Sequence, residues 1–164
     1  MNIRKSIVTA VLVFMATLSA NAQFEKGKIY VGASLSGLDM TYNGSEKGKF
    51  SIEGKAGYLV EENVMLTAQA AYSKQDKLPF MISLGVGGRY YIEQNGMYFG
   101  ASVDYKHHDD FSDFQPSVQV GYAFFLSRTV TIEPEVYYIQ SFKNHSDYST
   151  IGLRVGFGIY LFRD

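Results

Sequence analysis

Apolar side chains recur at every second position in segment after segment from residue 29 onward, and no stretch of that region repeats at the helical period. One face of the first segment reads Ile29, Val31, Ala33, Leu35; a central one reads Phe80, Ile82, Leu84, Val86, Gly88, Tyr90; the last reads Ile151, Leu153, Val155, Phe157, Ile159, Leu161. None of these positions carries a charge. The breaks between segments alternate in length. Residues 41–49, 74–79, 107–113 and 143–148 are longer and polar, whereas Glu61-Glu62-Asn63, Glu93-Gln94-Asn95-Gly96 and Ser127-Arg128-Thr129 are tight turns. The pattern predicts an all-β fold of eight antiparallel strands in an up-and-down meander, with loops at one end and tight turns at the other. Strands of about ten residues match the length needed to cross a hydrocarbon layer at a steep tilt. Pro116 and Pro134 lack the ladder donor and are expected near strand ends, at a bulge or a last unpaired position.

Two barrels fit such alternation. A membrane barrel shows its apolar face to lipid, and a soluble exported carrier of the lipocalin kind hides that face around a hydrophobic ligand. The polar face separates them. It is dominated by Gly, Ser and Ala, as in Gly32, Ser34, Ser36 or Ser83, Gly85, Gly87, where a solvated sheet surface would carry Lys, Glu and Thr. Its long charged side chains are Lys55, Arg89, Lys106 and Arg154 against Glu53, Asp104, Glu133 and Glu135, four of each sign. An enclosed lumen tolerates ions when they pair, so this balance predicts a salt-bridged polar interior. Tyr and Phe gather near the ends of the apolar runs, at Phe50, Tyr58, Tyr72, Phe80, Tyr90, Tyr105, Tyr122, Phe124 and Tyr138, as two aromatic girdles would require.

Composition narrows the choice further. The 164 residues contain no Cys, which excludes a disulfide framework, a thiolate metal site and an acylated N-terminal Cys. A formal net charge of -1 without a long basic run gives no footprint for nucleic acid. Residues 1–22 read as a signal peptide: Arg4 and Lys5 precede an apolar core, and Ala20-Asn21-Ala22 forms a small-x-small cleavage site. Residues 23–164 are then the barrel domain.

The final segment, Arg154-Val155-Gly156-Phe157-Gly158-Ile159-Tyr160-Leu161-Phe162, resembles the C-terminal assembly signal of bacterial outer-membrane barrels, with Arg154, Gly156, Ile159, Leu161 and Phe162 as its elements. Arg163 and Asp164 follow where that family usually ends on an aromatic residue. Together with the leader and the loop rhythm, the chain resembles the small eight-stranded outer-membrane barrels, OmpX-like or the OmpA barrel domain, over nearly its whole length. The resemblance implies residence in the bacterial outer membrane, contact with its lipid, insertion by the outer-membrane assembly machinery, and a structural or surface-interaction role with an extracellular ligand met through the loops. It implies neither catalysis nor a cofactor, and an eight-stranded lumen filled by side chains disfavours a wide pore.

Three further sets of residues have a chemical reading. His107 and His108 with Asp109, Asp110 and Asp113, and His145 with Asp147, could surround a zinc ion at neighbouring loop tips, although such residues also simply solvate exposed loops, and no metal site is assigned. His145-Ser146 could serve a lipid-modifying enzyme, but neighbours in an extended strand point to opposite faces. The Gly85-x-Gly87-Gly88 run lies within a strand with no helix after it, so it is no phosphate loop; its glycines are expected to allow curvature or room for Tyr91.

Overall fold

The computed structural model describes residues 24–41, 49–75, 81–93, 95–108, 111–142 and 149–161. The expected leader, residues 1–22, lies outside them. The strands are β1 (Ile29–Thr41), β2 (Lys49–Glu61), β3 (Val64–Gln75), β4 (Met81–Tyr91), β5 (Met97–His108), β6 (Phe111–Tyr122), β7 (Phe124–Phe125), β8 (Val130–Ile139) and β9 (Thr150–Leu161). Each pairs antiparallel with its neighbours in the order β6-β5-β4-β3-β2-β1-β9-β8-β7, and the β6–β8 pairing closes the sheet on itself. The short β7 continues β6 beyond a break at Ala123, whose N–H donates 2.9 Å to the Gly96 carbonyl. The described residues therefore form an eight-stave closed barrel. Closure gives every stave a hydrogen-bonded neighbour on both sides, the condition for a sheet to stand in hydrocarbon.

The register fixes the dimensions. Following paired residues from Ile29 through Tyr58, Leu66, Gly88, Ala101, Val118, Tyr138 and Ile151 leads back to β1 at Met40. The return is displaced by eleven positions, one of them absorbed by the irregularity between Ser36 and Leu38, which leaves a stagger of ten. Eight strands about 4.8 Å apart with that stagger tilt by about 40° and enclose a cylinder of about 8 Å radius at the backbone. Side chains fill such a cylinder.

Orientation follows from burial. Val86, Phe114 and Leu84 on the outer face are 66%, 63% and 61% exposed, whereas the intervening Gln115, Glu133 and Glu135 are at most 3% exposed. The aliphatic positions look outward over the whole wall, so the soluble-carrier alternative, which requires them around a central cavity, is overturned. Tyr58, Tyr90, Tyr122 and Phe124 lie at the tight-turn end, and Tyr72, Tyr105, Phe114 and Tyr138 toward the loops. The side chains of Phe50 and Phe80 lie outside the described set. Turn geometry suits the residues that make it: Asn63 and Gly96 take φ of 64° and 76°, left-handed values open to Asn and Gly.

Two local expectations need correction. Pro116 and Pro134 stand well inside β6 and β8, not near their ends. Each is accommodated by a break in a neighbouring ladder: the β6–β8 pairing begins only at Ser117↔Ile139, just past Pro116, and Pro134 faces the gap between the β6–β8 and β7–β8 ladders. The Pro116 carbonyl still accepts the Gln140 N–H at 2.9 Å. The second correction concerns the loop expected over residues 107–113. His107 and His108 belong to β5, and Asp113 belongs to β6 with its side chain buried inside the barrel.

Candidate functional site

Inward positions alternate with lipid-facing ones along every strand, so residues far apart in sequence meet on the barrel axis. At the tight-turn end they form an aromatic floor. Phe24, from the segment before β1, stacks on Tyr91 with ring centroids 3.8 Å apart and 18° between planes, and meets Tyr160 edge-on at 5.6 Å. Leu59 and Met65 are fully buried beside them, and the Tyr91 and Tyr160 hydroxyls lie 3.0 Å apart. Backbone bonds hold this segment in place: the Asn63 N–H donates to the Phe24 carbonyl at 2.9 Å and the Gly27 N–H to that of Leu59 at 2.8 Å. Phe24 falls within the expected barrel domain, but it precedes the first alternating run, so the period of two gave it no inward position.

Above the floor lies the ionic centre. Arg89 of β4 crosses the lumen and donates from one guanidinium nitrogen to Glu133 Oε2 at 2.8 Å and from the other to Glu135 Oε2 at 3.0 Å. Arg154 of β9 donates through Nε to Glu135, and through its other nitrogens to Glu53 Oε2 at 2.6 Å and Gln119 Oε1 at 2.9 Å. Lys55 Nζ stands 3.1 Å from Glu53 Oε1. Phenols complete the coordination: Tyr30 donates to Glu133 at 2.9 Å and Tyr98 to Glu135 at 2.8 Å, with the Arg89 guanidinium 4.3 Å over the Tyr98 ring. The glycines make this crossing possible. A Cβ on Gly158 would stand 2.7 Å from both Glu133 Oε1 and Thr131 Oγ1 and would overlap the Tyr30 ring.

Six of the eight charged residues picked from the sequence thus meet here, three acids and three bases: Glu53, Glu133 and Glu135 with Lys55, Arg89 and Arg154. A void of only about 10 Å³ remains among them, at most the room for a single water. Asp104 and Lys106 line a larger cavity of about 50 Å³ toward the loops, together with Ser51, Gln69, Ser83 and Tyr137, and Glu53 and Arg154 of the ionic centre border it as well. Asp104 accepts the Gln69 amide at 2.8 Å. Asp113, read from the sequence as a loop residue, accepts the Ser141 hydroxyl at 2.7 Å and the Gln115 amide at 3.1 Å inside the lumen. Tyr30 and Asp113 were missed although strand parity could have found them: Tyr30 shares the face of Gly32 and Ser34, and Asp113 that of Gln115 and Ser117. Nor does Gly85 make room for Tyr91; the space over it is taken by Asp104 and Gln69.

A closed, outward-apolar, eight-stave barrel with a neutralised core is matched by one family description, the outer membrane protein beta-barrel domain, over residues 7–160. The chain belongs to the outer-membrane β-barrel family. Solved structures of the same shape include Neisserial surface protein A, at 17% identity and TM-score 0.62 over 80% of this chain and 95% of that one. The N-terminal β-barrel domain of Pseudomonas aeruginosa OprF is similar at 10% identity and TM-score 0.62, covering 83% and 98%. Yersinia pestis Ail is similar at 12% identity and TM-score 0.54, covering 83% and 100%. At these identities the likeness is one of fold. No curated protein matches the sequence. The barrel is thus an integral protein of the bacterial outer membrane, with an apolar belt against lipid and a polar, ion-paired interior.

The remaining sequence candidates fall as follows. In β9, Ile159 and Leu161 face outward at 44% and 47% exposure, while Gly156 is buried and Arg154 points into the lumen; Phe162 lies outside the described residues. Of the residues considered for zinc, Asp109, Asp110, His145 and Asp147 lie outside the described residues, as do the side chains of His107 and His108, and Asp113 is turned into the lumen. Ser146 lies outside them also.

Proposed function

We propose that the protein acts as a closed structural barrel whose contacts with other molecules are made at its outer loops and its lipid belt, not through its lumen. The observation that carries this reading is the double obstruction of the axis, by the Phe24 floor and by the Arg89 and Arg154 cluster above it. A wide diffusion path would have to displace both. Loops at the end away from the tight turns face the cell exterior in barrels of this kind, which makes them the surface for an extracellular ligand. The outward row of β9 that ends with Ile159 and Leu161 is the part offered to the assembly machinery.

The test is conductance and partition together. The protein refolded into planar bilayers is expected to give no steady porin-like current, and to show in lipid a heat-modifiable shift in gel mobility. A stable open channel in the unmodified protein overturns the closed-barrel reading. For the surface role, transplanting the segments that join the strands at the loop end onto an unrelated barrel should carry cell-surface binding with them; binding that stays with the staves refutes it.

A further inference from the structure

Among the described residues the wall is least continuous between β6 and β8. The ladder there runs only from Ser117↔Ile139 to Gly121↔Glu135, and the next pairing toward the tight turns is Phe124↔Ile132 of β7 and β8. Two bonds at its ends show which residues bond across it: the Gln140 N–H donates to the Pro116 carbonyl at 2.9 Å, and the Leu126 N–H to that of Val130 at 2.8 Å. Bonded and unbonded pairs alternate in an antiparallel ladder, so the even-numbered residues of both strands face this seam. Pro116 and Pro134 are both among them. Pro116 has no N–H for Gln140, and the register that pairs Gly121 with Glu135 sets Pro134 opposite Tyr122, to which it likewise offers no N–H. Between the prolines, the pairs able to exchange both bonds are Val118 with Tyr138 and Val120 with Val136.

Lumen side chains take over where the backbone stops. Pro134 stands between Glu133 and Glu135, and Arg89 of β4 grips both carboxylates, at 2.8 and 3.0 Å. Tyr98 of β5 donates to Glu135 at 2.8 Å, and Arg154 of β9 donates to Gln119 of β6 at 2.9 Å. At the loop end Ser141, just past β8, donates to Asp113 of β6 at 2.7 Å. Each of these bonds ties the β4–β6 side of the seam to the β8–β9 side. Directly behind the seam lies the larger cavity, lined by Ser117 and Ile139, the last pair of the ladder, and by Tyr137.

We propose that the β6–β8 seam is a latched side opening: the bonds from Arg89 and Tyr98 to Glu133 and Glu135 hold it shut, and their release parts the strands between Pro116 and Pro134, joining the cavity to the bilayer side. A charge-assisted bond is about twice as strong as a neutral one, so closure here depends on the ionic centre more than on the short ladder. The opening is lateral. The Phe24 floor stays in place, so the axis remains obstructed and conductance does not report on the seam.

Residue-resolved amide hydrogen exchange of the folded protein in detergent micelles tests this. The amides of Val118, Val120, Val136 and Tyr138 face the seam, whereas those of Ser117, Gln119, Glu135 and Tyr137 face the ladders with β5 and β9 and serve as controls on the same strands. The seam amides should exchange about tenfold faster than the controls. Y98F removes one hydroxyl from Glu135 but leaves it Arg89 and Arg154, and should speed the seam amides about another tenfold with the controls unchanged. P134V restores an N–H opposite Tyr122 and should slow them about fivefold. Equal protection of seam and control amides, acceleration of both sets alike by Y98F, or a P134V protein that exchanges as the unmodified one does overturns the proposal.

Discussion

Replacing Arg89 by Met keeps the length of the side chain and removes its charge from the middle of the lumen. Two ion pairs of 2.8 and 3.0 Å are lost, between side chains only 2% to 4% exposed. The consequences for the two carboxylates differ. Glu135 keeps Arg154 and the Tyr98 hydroxyl, whereas Glu133 keeps only hydroxyls, from Tyr30, Thr131 and Tyr160. Breaking a buried pair and leaving one partner charged costs about 3 to 5 kcal/mol, and here that cost falls mainly on Glu133. R89M should therefore lose about that much unfolding free energy. R89M/E133Q, with the stranded charge also removed, should recover most of it and finish within about 2 kcal/mol of the unmodified protein. The chain has no Trp, so urea unfolding in detergent or lipid is best followed by far-ultraviolet circular dichroism and by gel mobility. A loss below about 1 kcal/mol for R89M, or a double variant weaker than R89M alone, would refute the claim that the lumen charges are mutually dependent.

Three other substitutions probe the remaining parts of the barrel. F24A empties the floor beneath Tyr91 and Tyr160 and should cost about 3 to 5 kcal/mol in the same unfolding assay; a cost under about 1 kcal/mol would mean the floor segment is only loosely docked. G158V drives a side chain into Tyr30 and Glu133 and should lower refolding yield sharply, whereas G54A, whose Cβ finds nothing nearer than 4.0 Å, should refold normally; equal yields would contradict the packing described. V86R puts a charge on the lipid face at mid-strand and should cost about 2 to 4 kcal/mol in bilayers, against about 0 to 1 for L126R at the tight-turn end; the reverse order would mean that the belt is misplaced.

Lumen packing explains why so many inward positions are small. Long side chains reach across a cylinder of about 8 Å radius only where the facing position gives way, and the glycines at 121 and 158 give way to Tyr98 and Tyr30. Stability and closure therefore share the same residues. Arg89, Arg154 and the phenols satisfy the buried carboxylates and at the same time obstruct the axis.

The sequence by itself determined the number of staves, the alternation of loops and turns, and which residues of each strand share a face, because a period of two is a local property that any run of residues displays. It also supplied the six charged residues of the ionic centre, since long polar side chains stood out among Gly, Ser and Ala. Only the tertiary structure decided which of them meet. Glu53 and Arg154 are brought within 2.6 Å because β2 and β9 both pair with β1, where Ser34 faces Glu53 and Ser36 faces Arg154, and no local pattern encodes those registers. The β5–β6 pairing runs on through Lys106↔Asp113 to His108↔Phe111, past the expected loop, and turns Asp113 inward, and Pro116 and Pro134 stand where neighbouring ladders break. Alternation is set between adjacent residues, whereas proximity across a barrel depends on hydrogen-bond registers accumulated over eight strands.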